Sequence, residues 1–497
     1  MPPKRFNILF VSSEVMPFVK TGGLADVSSA LPQYLSDMGN EVRIVVPKYG
    51  AIDQRRFKIH EVVRLKDIQV KIGDKDVVFS LKSCFLPGPK VRVQIYFLEN
   101  HEYFGSRNSL YVDPKTEKEY PDNDERFILL ARSIPELITR LGWIPDIIHC
   151  NDWQCGLVPA YIKTIYKNFE NFDKFKTLFT IHNIDYQGEF PKSSFRKTGL
   201  PEELNSEKGI ELKGKINFMK SGLMFADAIN TVSETYANEI RTNEELAAGL
   251  KTVLSKRKSA LFGIVNGIDI NVWNPEKDKH LVRKYSIKDL EGKAENKAEL
   301  ANKFALKYDP NIPMVGVISR LYNSKGIDLI TEAFKEIMSL NLQFILLGTG
   351  DRKYHSFFEK MVEKYRDKFA CYLGFNDELA HLIEGGADIF LMPSLVEPCG
   401  LNQMYSLAYG TVPIVRETGG LADTVIRYDE KTEEGNGFVF KKYEAEAMMK
   451  ELKRALKLFE DKKKWTKIMR NGMKMDFSWN ASAKKYVELY KTILENG

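Results

Sequence analysis

The sequence predicts two doubly wound α/β domains of similar size, and three observations carry that prediction. At 497 residues the chain is longer than a single hydrophobic core usually serves. Fully apolar runs of strand length alternate with longer amphipathic stretches, the pattern of parallel strands buried on both faces in βαβ units. The alternation runs twice, and the two series are separated by a charge-rich segment, 274–310, poor in large apolar residues.

The first series opens with NILFV at 7–11, continues through residues 24–38 with apolar positions at helical spacing, and reaches EVRIVVP at 41–47. DIIHC (146–150), TLFTIH (177–182) and AINTV (228–232) follow, each leading into a polar or helical stretch. Residues 55–100 break the rhythm with VVFSL and VRVQIYFL, read as an insertion or added antiparallel strands. Segment 274–310 reads as a surface helix and loop near the domain join. The second series is PMVGVIS, QFILLG, ACYLG, DIFLMP, TVPIV and GNGFVF, between 313 and 440. Trp479 to Leu494 has an amphipathic helical pattern with no strand after it.

Composition narrows the class. The chain is 43% hydrophobic and 28% charged, with a net charge of +6, which is ordinary for a globular protein. Its basic residues between 441 and 464 alternate with acids and apolar positions, a solvated helix face and not a nucleic-acid stripe. Five cysteines (84, 150, 155, 371 and 399) include no CxxC pair, which argues against a disulfide framework or a structural zinc site. The apolar run after Arg5 ends at Ser12 and Ser13, too soon for a signal peptide or a membrane span. A soluble cytoplasmic protein is expected, with no membrane and no nucleic acid as partner.

In open parallel sheets, ligands sit beyond the carboxyl ends of the strands, near helix N-termini. The hexapeptide TGGLAD stands at two such places, Thr21–Asp26 and Thr418–Asp423. Gly22 and Gly23 let a backbone approach an anion closely, and Lys20 adds a charge; a tight turn beside a surface lysine reads equally well. Thr418, Gly419 and Gly420 repeat the arrangement. Neither copy is a dinucleotide fingerprint or a P-loop. In SRLYNSKG, Arg320 and Lys325 on one loop suit a diphosphate. Glu397 lies between an apolar strand and a helix start, as a sugar-binding carboxylate or a dipole-complementing cap. His182 and Asn183 end a buried strand, and Cys399 reads as a packing residue.

Taken together, KTGGLADV, HCNDWQ, TIHNIDYQGEF, VNGIDINVWNP, SRLYNSKG and EPCGLNQMYSLAYGTVPIVRETGGLADTV resemble the bacterial glycogen synthase and plant starch synthase family, in order and over essentially the whole chain. The resemblance implies the GT-B fold: Rossmann-like domains at 1–262 (acceptor side) and 263–476 (nucleotide sugar) facing across a deep cleft, and a helix at 477–497 crossing back to the first. It implies retaining transfer of glucose from ADP-glucose to the non-reducing 4-hydroxyl of an α-1,4-glucan, glycogen serving as primer, with no cofactor and no metal.

By motif, Lys20 and the amides of Gly22 and Gly23 would meet the donor phosphate and sugar, and Asp26 would organise that loop or meet the acceptor. Asp152 and His182 would contact the transferred glucose, with Asn183, Tyr186 and Gln187 on the same loop. Asn266 would reach the sugar. Arg320 and Lys325 would grip the diphosphate, and Glu397 would bind the glucose 3- and 4-hydroxyl side. The backbone from Cys399 through Gly400 and Leu401, with Thr418, Gly419 and Gly420, would complete the cradle.

Three positions depart from the family pattern. Phe375 stands where a Tyr often meets the adenine, Asp185 replaces a small apolar residue, and Glu417 precedes the second TGG. A stabilised diphosphate leaving group removes the need for the acid that glycosidases employ. The expected path is therefore a same-face substitution in which the departing phosphate takes the acceptor proton and Glu397 positions and stabilises charge. UDP-glucose as donor, or an inactive glucan-binding homologue, stays open at this stage.

Overall fold

The computed structural model describes residues 5–88 and 93–495. It divides into two compact units: unit 1 runs through Val232, then Ala237–Ile264, then from Ser482 on, and unit 2 comprises Ser233–Tyr236 and Val265–Ala481.

Unit 1 is built on one large sheet. In space its parallel strands run Leu261–Gly263, Ala228–Thr231, Lys176–Ile181, Ile147–Asn151, Asn7–Val11, Glu41–Pro47 and Gln94–Glu99. Ile8 pairs with Val42 on one side and Ile147 on the other, so the first strand is central, and Ile8, Leu9, Phe10 and Val11 are all buried. Lys75–Phe85 then pairs antiparallel to Gln94–Glu99, and Ile68–Ile72 antiparallel to Lys75–Phe85. The expected strand VRVQIYFL starts at Val91 and Arg92, outside the described residues; from Gln94 it is a member of the parallel sheet and not an added antiparallel strand. The helix Trp479–Glu495 supplies the last pieces of this unit's core. The Tyr490 hydroxyl lies 2.9 Å from His149 Nδ1, and Asn230 Nδ2 donates to the Tyr486 hydroxyl at 2.9 Å.

Unit 2 has a fully parallel six-stranded sheet in the spatial order Phe369–Leu373, Gln343–Gly350, Met314–Leu321, Ile389–Met392, Val412–Arg416, Phe438–Phe440. Numbered along the chain that is 3-2-1-4-5-6, the doubly wound order. The parallel strands of unit 1, counted the same way, run 3-2-1-4-5-6-7. In each unit the strand order reverses between the first and fourth strands, and ligands are bound at such a switch point.

Segment 274–310 is more than a surface element. Its helix Glu291–Lys303 turns Lys293 and Lys297 inward. Lys293 Nζ donates to Thr411 Oγ1 at 2.6 Å and to the carbonyls of Glu384, Gly385 and Tyr409. Lys297 pairs with Asp388 at 2.7 Å. Burial pushes the Lys293 ammonium down to about 7. Buried lysines can replace large apolar residues here because carbonyl oxygens at the helix and strand ends satisfy them. Among the described residues no helix is long and apolar enough to cross a membrane.

Candidate functional site

Each unit gathers candidate side chains at its own switch point. In unit 1 the first strand ends at Val11 and the chain continues through buried Ser12, Ser13 and Glu14. The Glu14 carboxylate accepts from the Thr21 amide, from Thr21 Oγ1 at 3.0 Å and from the Gly22 amide at 3.3 Å. Burial raises its pKa, opposed by those hydrogen bonds. The first TGG loop therefore already cradles an anion, one supplied by the chain itself. The Gly22 amide is committed to it. Lys20 and Asp26, both well exposed, pair at 2.7 Å. Gly23 opens the helix Gly23–Asp37, where Asp26 in the first turn complements the dipole.

Across the switch point, the fourth strand ends at Asn151 and Asp152 follows with φ +55° and ψ −179°, a conformation that L residues rarely hold and that costs of order 1–3 kcal/mol. Such strain persists where the surroundings dictate a side-chain position. The Asp152 carboxylate accepts from the His182 amide at 2.7 Å and from the Asn183 amide. Burial outweighs both bonds and lifts its pKa to about 7, with Glu14 adding to the rise. His182 Nε2 lies 2.9 Å from Asn151 Oδ1. Asn151 Nδ2 donates to the Val11 carbonyl at 3.0 Å, which fixes the amide with its oxygen toward the imidazole. His182 thus carries its proton on Nε2 and a lone pair on Nδ1, and burial holds its pKa down at about 3, keeping it neutral.

The loop after His182 is less open than its sequence suggests. Asn183 Oδ1 accepts from the Asp185 amide at 3.0 Å, and Tyr186 is exposed. Gln187 is buried, donating to the Ala248 carbonyl at 3.1 Å and accepting from Asn217 at 2.6 Å. Gln187 therefore braces the loop through both ends of its amide.

In unit 2 the first strand ends in Arg320 and Leu321, and the fourth ends at Met392. Lys325, in the loop after the first, donates to Glu397 Oε2, in the loop after the fourth, at 2.6 Å. Their side chains are only 18% and 8% exposed, and Ser394 Oγ donates to the same oxygen at 3.1 Å. Gly326 makes this approach feasible: its φ is +73°, and a Cβ there would stand 2.1 Å from the Pro393 carbonyl oxygen. Arg320 is exposed, its guanidinium 5.9 Å from the Tyr322 ring. Asn266, buried, leaves its Oδ1 without a hydrogen-bond partner. Its backbone amide lies by the Cys399 thiol, and a buried orphan of this kind is a place where a ligand hydroxyl can donate.

The second TGG follows the fifth strand. The Thr418 amide donates to the Arg416 carbonyl at 2.9 Å, and the Gly420 amide reaches the carbonyls of Glu397 and Pro398 at 3.1 Å. A Cβ on Gly419 would meet Glu397 O at 2.0 Å, and one on Gly420 would meet Cys399 O at 2.0 Å. These glycines clamp the Glu397–Cys399 backbone, so what they present is that segment and not a free row of amides. Gly400 has φ +72°, and Leu401 leads into the helix Asn402–Ala408. Burial pushes the Cys399 thiol up to about 12, the inert form of a packing cysteine. Phe375, beyond the third strand, is 86% exposed.

The structure thus brings Lys325 to Glu397 and His182 to Asp152, and pairs Lys20 with Asp26. Glu14, Asn151 and Ser394 are additional polar groups that sequence reasoning passed over. A signal existed for Glu14, an acid three residues beyond a buried strand. Ser394 and Asn151 carry none, since nothing local distinguishes them from packing residues.

Comparison with known proteins follows the same division. The family described as "Starch synthase catalytic domain" matches residues 7–256, and "Glycosyl transferases group 1" matches 299–472. A glycogen synthase of Desulforudis audaxviator is 43% identical, over 98% of this chain and 97% of the relative. One from Thermosipho africanus is 44% identical, over 98% and 99%. Among solved structures, the catalytic domain of starch synthase IV from Arabidopsis thaliana, bound to ADP and acarbose, matches with a TM-score of 0.86 at 31% identity, over 99% of this chain and 100% of that one.

Proposed function

The chain belongs to the starch and glycogen synthase family, retaining glycosyltransferases of the GT-B fold, and we propose that it moves glucose from ADP-glucose to the non-reducing 4-hydroxyl of an α-1,4-glucan, releasing ADP. The observation that carries this reading is the Lys325–Glu397 contact at 2.6 Å across the switch point of unit 2. Lys325 has three donors, so it can hold a diphosphate oxygen while still neutralising Glu397. Arg320 adds a second cation for the diphosphate, and Asn266 Oδ1 an acceptor for a sugar hydroxyl. The solved relative bound to ADP and acarbose recommends ADP as the leaving group.

The reaction then needs little proton chemistry from the protein. The diphosphate leaves as an anion held by fixed positive charge, the bond to the anomeric carbon lengthens, and the acceptor hydroxyl enters on the same face, passing its proton to the departing phosphate. Glu397 stabilises positive charge on the sugar ring. Neutral His182 offers a sugar hydroxyl the Nδ1 lone pair, and Asp152, with its pKa about 7, accepts or donates there according to pH.

The test is incorporation of radiolabelled glucose into glycogen from ADP-glucose and from UDP-glucose. A large kcat/KM preference for ADP-glucose is expected. Preference for UDP-glucose overturns the donor, and no incorporation from either overturns the reaction.

A further inference from the structure

We propose that His280, Asp377 and His381, all on unit 2, form a binding site for a divalent transition-metal ion of the zinc type. Each offers one ligand atom, and these atoms all lie within 4.8 Å of one another. Asp377 and His381 sit four residues apart on the helix Asp377–Gly386, so both face the same side. The Asn376 side chain caps that helix by accepting from the Leu379 amide at 2.9 Å. Asp377 is therefore not needed as the cap, and among the described residues no hydrogen bond or ion pair engages its carboxylate.

The surroundings orient the histidines as a metal site requires. His381 Nδ1 lies 2.7 Å from Asp278 Oδ2, and both side chains are buried. A carboxylate on Nδ1 fixes the tautomer and leaves the Nε2 lone pair for a metal, the carboxylate–histidine–zinc arrangement. Asp278 is itself held by the Tyr409 hydroxyl, and its second oxygen accepts from the His280 amide at 2.8 Å. One buried carboxylate thus steers both histidines. Trp273 stacks on the His381 ring with centroids 3.8 Å apart and planes 6° from parallel, and the His280 ring lies 4.8 Å from that of His381. Two imidazoles and a carboxylate suit zinc, with a fourth position open to water. Ligands about 2.0–2.2 Å from a zinc stand roughly 3.3 Å apart, so exposed Asp377 has only about an ångström or two to swing.

The ion would pin the helix Asp377–Gly386 to the segment carrying Trp273, Asp278 and His280. Calorimetric titration of the full chain with zinc chloride, beside His280→Ala and Asp377→Asn, tests the site, and the melting temperature is read with and without zinc. We expect one equivalent bound by the wild-type chain with a zinc-dependent rise in melting temperature. Each variant should bind at least about tenfold more weakly while melting like the wild type without zinc. No saturable binding by the wild-type chain overturns the proposal, as does affinity undiminished in either variant.

Discussion

In the proposed reaction Lys325 and Glu397 each do two jobs, and a substitution series can separate them. Breaking a buried pair by removing one partner costs up to about 3–5 kcal/mol, while losing a contact made to a developing charge costs about 10²–10³ in rate. Lys325→Ala is therefore expected to lose both stability and kcat/KM. The double variant Lys325→Met/Glu397→Gln is expected to regain urea resistance but not turnover; recovery of turnover would mean the pair is structural. Asp152 carries a pH dependence of definite sign. Its folded value, about 7, lies above the ordinary 3.8, so the native chain binds this proton more tightly than the unfolded chain does. Its stabilising contribution is full below about pH 4 and is lost as pH rises through about 7. Asp152→Asn does not titrate, so its melting temperature should gain on the wild type across that window; a flat difference would show that the carboxyl ionises normally. The residue types at strand ends were legible in the sequence. Their partners were less so: Asn151 meets His182 only when two separate strand–loop joints come together, whereas Glu14 and Ser394 reach Thr21 and Glu397 once their own loops fold back.

The loops after strands decide what those residues can touch, and here the repeated hexapeptide is instructive. The first TGGLAD follows the first strand of its unit, the second follows the fifth strand of the other. They occupy inequivalent places, so duplication of a unit does not explain them. The counterpart of the first copy in unit 2 is the loop of Arg320 and Lys325, and the counterpart of the second in unit 1 is the loop of His182. Local sequence reports the turn chemistry, two glycines at a helix start, and is silent on which strand of the sheet the turn leaves. The two aspartates show how far context overrides identity: Asp26 pairs with Lys20, whereas Asp423 accepts from the Thr235 amide at 3.1 Å and from its hydroxyl. At this scale Gly326→Ala is the informative change. A left-handed backbone costs of order 1–3 kcal/mol for an L side chain, and the Cβ would collide with Pro393 O. A lower urea midpoint and a parallel fall in kcat/KM are expected, since Lys325 rides on this turn.

Across the whole molecule, the alternation of apolar strands and amphipathic helices was enough to read two parallel α/β sheets. The pairing order 3-2-1-4-5-6 was not readable, because periodicity tells which faces are buried and not which strands are neighbours. The buried lysines of Glu291–Lys303 were hidden for a similar reason, since charge normally signals solvent. The final helix is where distant parts of the sequence meet. Ala483, Tyr486, Leu489, Tyr490 and Ile493 are buried in unit 1, and the Tyr490 hydroxyl meets His149, whose pKa burial lowers to about 3. Tyr490→Phe strands that imidazole nitrogen and should cost about 1–3 kcal/mol by urea denaturation, with no direct effect on kcat.

That late contribution also orders events on the ribosome. Unit 1 is otherwise complete at Ile264 and gains its remaining residues only from Ser482. At about 5–20 residues per second, the nascent first unit waits roughly ten to forty seconds with the hydroxyl partners of His149 and Asn230 still unmade. During that interval it is a natural client for a chaperone, and a stall anywhere in unit 2 leaves it uncovered.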